Sequence, residues 1–155
     1  KDLLAVPVSR SSILLAKFLL VAAWSALLAG VIFAAGLLAG TLLKLPGYSP
    51  GAIIHGSFLV AATALLVIPT VFPFALFASL GRGYLLPFAL AAPASMLGNF
   101  ALILGPGEFF PWAIPLIYAQ GKTILAPVSY AIVLFTGLAG LILTDYWWKH
   151  ADQNR

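Results

Sequence analysis

An all-α, polytopic transmembrane helical bundle of about four spans, preceded by an amphipathic elbow, is the fold class predicted for this chain. Three observations carry that expectation. Hydrophobic residues make up 63% and charged residues 8% of the chain, against roughly 25% charged in ordinary soluble domains; an exterior that apolar would aggregate in water. The charges also leave clear runs at 18–43, 45–81, 83–107 and 123–144, each long enough for the ~20-residue helix that crosses a ~30 Å hydrocarbon core. These runs are continuously apolar, whereas a membrane β-barrel alternates apolar and polar residues over short strands. A secretory signal would give one short apolar core followed by polar sequence, which the chain does not do.

The first seventeen residues, KDLLAVPVSRSSILLAK, form a basic amphipathic elbow. Pro7 disfavours helix at Val6, and Ser9 or Ser11 can cap a new helix that runs into the first span. The elbow (1–16) can lie on a leaflet as an interfacial anchor, or it can present a rigid corner to a cytoplasmic partner. The first residue is Lys rather than Met, so the expectation is that the elbow is an internal loop of a longer protein.

The transmembrane part is expected over 17–155, with spans near 17–43, 53–80, 84–104 and 124–148. In the first span Ala22, Ala26, Gly30 and Ala34 recur at steps of four, and Gly36 and Gly40 form a second small pair. Small residues let helix backbones approach closely in lipid, where packing drives association. Lys44 to Gly51 is turn chemistry throughout. The second span carries Pro69 and Pro73 one turn apart. Each removes a backbone donor and crowds the preceding turn, so a kink or break is expected, serving either as a hinge or cavity lining or as a static bend. Gly81-Arg82-Gly83 is a tight turn. The third span holds Pro87, Pro93, Ser95 and Asn99, the last two on one face at i and i+4. Asn99 can line a substrate path or hydrogen-bond a neighbouring helix. Residues 105–122 are too broken by proline to span, yet aromatic. Phe109, Phe110, Trp112 and Tyr118 suit the headgroup layer, so an interfacial or shallow re-entrant segment is expected. The last span ends in an aromatic belt with cationic anchors, Asp145-Tyr146-Trp147-Trp148-Lys149-His150, where Asp145 and Lys149 can pair at i+4.

Orientation follows from the charges. With both ends on one side, Lys1, Arg10, Lys17, Arg82, Lys149 and Arg155 share a face, and Lys44 and Lys122 fall opposite. The positive-inside rule then puts both ends in the cytoplasm of a multi-pass cell-membrane protein. This accounts for the net charge of +4 without a nucleic-acid partner. The absence of cysteine removes disulfide and thiolate chemistry.

Catalysis has little to work with. His55 and His150 sit near opposite faces and cannot share a metal. Asp2, Asp145 and Asp152 are expected inside and Glu108 outside, and neither HExxH nor GxSxG is present. No catalytic residue, metal site or cofactor is assigned. His55 is read as interfacial, with a substrate contact as the alternative.

The sequence Leu3-Leu4-Ala5-Val6-Pro7-Val8-Ser9-Arg10, followed by Ile13-Leu14-Leu15-Ala16-Lys17 opening a spanning helix, resembles the type-2 ABC transporter permease family. The branch most similar is that of bacitracin and lantibiotic self-protection exporters. In that family such a Pro-Val-Ser-Arg corner occupies the cytoplasmic loop between spans two and three, and a late external Pro-Trp-x-x-Pro segment, here Pro111-Trp112 to Pro115, precedes the final span. Val6 stands where Leu is usual, and the two spans that precede the corner are absent. The resemblance implies an exporter subunit working as a pair, with a second permease copy or paralogue, driven by a separate cytoplasmic ATP-binding subunit. The coupling contact would fall on Leu3, Leu4, Pro7, Val8, Ser9 and Arg10. The chain has no GxxxxGK[ST] motif, so ATP hydrolysis would belong to the partner. For the substrate path the sequence offers Asn99, Ser95, Pro69 and Pro73, and the implied substrate is amphipathic or peptide-like. A four-span structural or assembly protein without transport activity is the competing reading. A membrane enzyme would need catalytic groups from outside this chain.

Overall fold

The computed structural model describes residues 9–44, 49–81, 83–121 and 124–151. All regular structure among them is helical: α1 (Arg10–Leu42), α2 (Pro50–Val71), α3 (Pro73–Leu80), α4 (Leu85–Leu104), a 3-10 turn (Pro106–Phe109), α5 (Ile114–Ala119) and α6 (Pro127–His150). Four helices are long and apolar enough to cross a membrane: Arg10–Leu42, Pro50–Leu80, Leu85–Leu104 and Pro127–His150. The chain is a multi-pass membrane protein. We call the end of the bundle where α1 starts and α6 finishes the foot, and the opposite end the head.

Local chemistry sets the helix limits. Ser9 is extended and its Oγ accepts the Ser12 N–H at 3.1 Å, so α1 begins at Arg10 and continues through Lys17 without interruption. Its 33 residues reach about 50 Å at 1.5 Å per residue. Ser49 caps α2 in the same way, accepting the Ala52 N–H at 3.2 Å, with Pro50 in the first turn, where a missing N–H costs nothing. α4 stops at Gly105, whose φ of 103° is open to glycine and strained for other residues.

The second span breaks at Phe72, between the two prolines. Pro73 has no N–H to give the Pro69 carbonyl. That carbonyl instead accepts the Phe72 N–H at 3.3 Å, and the Phe72 carbonyl accepts the Ala75 N–H at 3.0 Å. Two tightened turns therefore join α2 to α3.

α6 is the central post, packing against α1, α2, α3 and the 3-10 turn. Its buried residues Ser129, Val133, Gly137, Gly140 and Thr144 recur at helical spacing on one face. The broken span lies on that face at very short range: a Cβ on Gly137 would sit 2.6 Å from Pro69 Cβ, and one on Gly140 would sit 2.5 Å from the Pro73 nitrogen. By contrast, a Cβ on Gly30 or Gly36 of α1 would meet nothing within 4 Å. Gly137 and Gly140 of α6 thus meet a neighbouring helix far more closely than Gly30 and Gly36 do. The small-residue stripe of α1 faces α2 more loosely, across a cleft of about 400 Å³ lined by Ala26, Ala29, Gly30, Phe33, Ala61 and Ala64 among others.

Residues 105–121, expected to be an interfacial or shallow re-entrant segment, fold back against the bundle. The 3-10 turn packs on α4 and α5 on α2, burying Ala113, Ile114 and Ile117. Ile114, Ile117, Leu125 and Val133 make the buried cluster at the head, with Leu66, Leu102, Tyr118 and Ile132 around it. The rest of the bundle shows large apolar side chains outward, among them Trp24, Val31, Leu65, Phe100 and Phe135, as a lipid-facing surface requires.

Candidate functional site

Two places concentrate polar contacts between elements that are distant in sequence. One is the foot, where α1 meets the last turns of α6. The other is the broken second span.

At the foot, the Ser9 Oγ that caps α1 also lies 2.7 Å from the Ser12 Oγ. One residue on, the Arg10 Nη1 donates to the Trp148 carbonyl at 3.2 Å. Ser11 follows, and its hydroxyl donates to Asp145 Oδ1 at 2.7 Å. The other oxygen of Asp145 pairs with Lys149 one turn further along α6, the pairing that the i, i+4 spacing predicts. Two turns into α1, the Lys17 ammonium stands 4.5 Å from the centre of the Trp148 ring, a cation–π distance. The Trp148 indole N–H in turn donates to the Ser79 Oγ of α3 at 2.9 Å. Trp148 therefore touches α1 with its ring face and its carbonyl, and α3 with its ring nitrogen. Between these contacts lies a cleft of about 360 Å³ lined by Leu14, Lys17, Phe18, Phe72, Ser79 and Trp148 among others. At its inner end the Phe18 and Phe72 rings meet edge to face at 4.9 Å.

At the break, the Trp112 indole N–H of the 105–121 segment donates to the Thr70 carbonyl at 3.1 Å. Its ring packs against Phe74 at 5.8 Å and Phe110 at 5.4 Å. Broken membrane helices persist where neighbours satisfy the freed backbone groups, and Trp112 is such a neighbour. The ring is drawn into the bundle because the interrupted span offers a carbonyl acceptor there. Gly98 of α4 makes room for this segment: a Cβ there would come within 3.2 Å of the Trp112 carbonyl group.

The residues proposed from sequence fall as follows. Leu3, Leu4, Pro7 and Val8 lie outside the described residues. Ser9 and Arg10 lie at the foot, in the contacts above. Pro69 and Pro73 flank the break and press on Gly137 and Gly140. Pro69 also lines a cleft of about 310 Å³ with Leu66, Tyr118, Tyr130 and Val133 among others. Ser95 and Asn99 are exposed on α4 and bond to their own helix: Ser95 Oγ donates to the Ala91 carbonyl at 2.9 Å, and Asn99 Nδ2 donates to the Ser95 carbonyl at 2.9 Å. They are not brought together with the prolines. His55 is exposed near the head end of α2. Among the described residues no group of three or more His, Cys, Asp or Glu could hold a metal. Sequence reasoning did not single out Ser11, Lys17, Trp148 or Gly140 as partners. The one available signal was the concentration of Asp, Trp and Lys in the last turns of α6, read there as a membrane-edge belt.

Comparison with known proteins bears on the whole chain. A family model described as ABC-2 family transporter protein matches residues 1–98. The bacitracin transport permease protein BCRB of Bacillus licheniformis is 28% identical over 159 residues, an alignment covering 98% of this chain and 74% of that protein. No solved structure matches significantly.

Proposed function

The chain belongs to the ABC-2 family of transporter proteins, and from that premise we propose that it is the membrane subunit of an ABC exporter driven by a separate ATP-binding subunit. In this reading the foot faces the cytoplasm, as the distribution of Lys and Arg favours. The elbow (1–16) receives the motion of the ATP-binding subunit through Leu3, Leu4, Pro7, Val8, Ser9 and Arg10. A second permease copy or paralogue completes the transporter. The observation that carries the reading is the foot itself. Where the corner enters α1, Ser9 caps the helix and Arg10 and Ser11 are tied to α6. A push on the corner therefore reaches the bundle as a push on ordered helices.

The substrate in this reading is amphipathic or peptide-like. A relative named for bacitracin transport makes bacitracin the first compound to test. The broken span at Pro69 and Pro73, with the clefts beside it, is the proposed path. Ser95 and Asn99, which bond within α4, would join it only from that helix's exposed side.

The test is to substitute Pro7→Ala together with Leu3→Ala and Leu4→Ala, and to measure co-purification of the ATP-binding subunit and bacitracin efflux. Loss of both supports the reading. Association and efflux that match the unaltered protein overturn the coupling role of the elbow.

A further inference from the structure

The geometry points to the last turns of α6 as a clasp that fixes the foot of α1. In this arrangement Asp145 and Trp148 are positioning residues for the coupling elbow and pass its movement to the broken span. The inference rests on the exporter reading for its function, though not for its geometry.

The clasp has separate attachments on both helices. Asp145 takes the Ser11 hydroxyl, and Trp148 takes Lys17 on its ring face and the Arg10 guanidinium on its carbonyl. Ser11 and Lys17 are six positions apart on α1, so two points of one rigid rod are held. A rod held at two points cannot pivot about either one alone. Lys149 pairs with the Asp145 oxygen that Ser11 does not use, so both carboxylate oxygens are engaged. Among the described residues Lys17 forms no ion pair, and the Trp148 ring is its charge-accepting neighbour.

The same tryptophan reaches beyond α1. Its indole N–H bonds Ser79 on α3, the half-span whose start at Pro73 is pressed onto Gly140 of α6. A displacement of the elbow thus meets α6 and α3 at one side chain. An α1 that moved alone would have to break a charge-assisted hydrogen bond, a cation–π contact and a bond to a carbonyl. Moving with α6 breaks none of these.

The test uses paired spin labels on the protein in nanodiscs, and none of these 155 residues is a cysteine that would compete for the label. Labels go on the exposed positions Ile13 and Leu85, and the distance distribution between them is measured. The unaltered chain should give one narrow distribution. Combining Ser11→Ala, Asp145→Ala and Trp148→Leu should make it about twofold broader, since the charge-assisted hydrogen bond and the cation–π contact that hold one state are then gone. Trp148→Phe alone, which keeps the ring beneath Lys17, should leave it narrow. A narrow distribution in the triple variant overturns the clasp.

A second arm reads transmission. With the ATP-binding subunit bound, trapping by Mg-ATP and orthovanadate should shift a Tyr146–Leu85 label pair in the unaltered chain. In the triple variant the subunit should still co-purify and that shift should vanish. A shift that survives overturns the positioning role. If the subunit fails to bind the unaltered chain, the exporter reading fails instead, and the first arm still decides the clasp.

Discussion

Trp112 donates its indole N–H to the carbonyl of Thr70 at 3.1 Å, linking residues 42 positions apart. The acceptor belongs to the last turn of α2, next to the break, and the donor to the segment between α4 and α6. One hydrogen bond therefore joins the broken span to the segment that folds back on it. Trp112→Phe keeps the ring against Phe74 and Phe110 and removes the donor. It should lower stability by about 1 kcal/mol, the scale of hydrogen bonds measured inside membrane proteins. Trp112→Ala also empties the ring's site and should cost about 3 kcal/mol. Unfolding titrations in mixed micelles measure both; no loss in Trp112→Phe would show that the hydrogen bond contributes nothing, and equal losses that the ring packing contributes nothing.

The close approach at Gly140 makes a second prediction. At Gly140 an added methyl meets the backbone of Phe72 and Pro73, which cannot rotate away as a side chain can. Gly140→Ala should destabilise by about 1–3 kcal/mol. Gly30→Ala, with nothing within 4 Å, should be neutral or gain up to about 1 kcal/mol from helix propensity. Reversal of that order would place the tight contact on α1 instead.

The cap at the foot is testable by itself. Ser9→Ala removes the oxygen that accepts the Ser12 N–H and should cost about 1 kcal/mol. Ser9→Asp keeps an acceptor and adds charge at the positive end of the helix dipole, so it should match or exceed the unaltered protein. Hydrogen exchange over residues 10–14 reports the result. Protection unchanged in the alanine variant would mean that the clasp, not the cap, sets where α1 begins.

Asn99 separates two views of α4. Its amide bonds the Ser95 carbonyl of its own helix, so Asn99→Leu should change stability by less than about 0.5 kcal/mol and leave efflux intact. Efflux abolished with stability unchanged would put Asn99 in the substrate path.

How far these features could be read from sequence depends on their range. Helices long enough to span, the Ser9 cap, the break between Pro69 and Pro73 and the Asp145–Lys149 pair all arise within a few residues, and each was expected. That residues 105–121 do not form a further spanning helix was expected too, because the prolines there break any long helix locally. The Ser11–Asp145 bond, the Trp148 contacts and the fit of Gly137 and Gly140 against the prolines join residues far apart in the chain. Nothing in the local sequence marks which small pair will be the tight one. The regular stripe at Ala22, Ala26, Gly30 and Ala34 was the one noted from sequence, whereas the contacts at Gly137 and Gly140 fall where prolines on the facing helix bring backbone and ring to the surface.

The length of α1 carries a consequence for the lipid around it. Its 33 residues reach about 50 Å, well beyond a ~30 Å hydrocarbon core, and a free helix of that length relieves the excess by tilting. This one is pinned near Ser11 and Lys17, so a change in bilayer thickness must be absorbed at the head or strain the foot. Membrane thickness thereby becomes an input to the protein: vesicles made with shorter or longer acyl chains should load or unload the junction between α1 and α6 with no change in sequence.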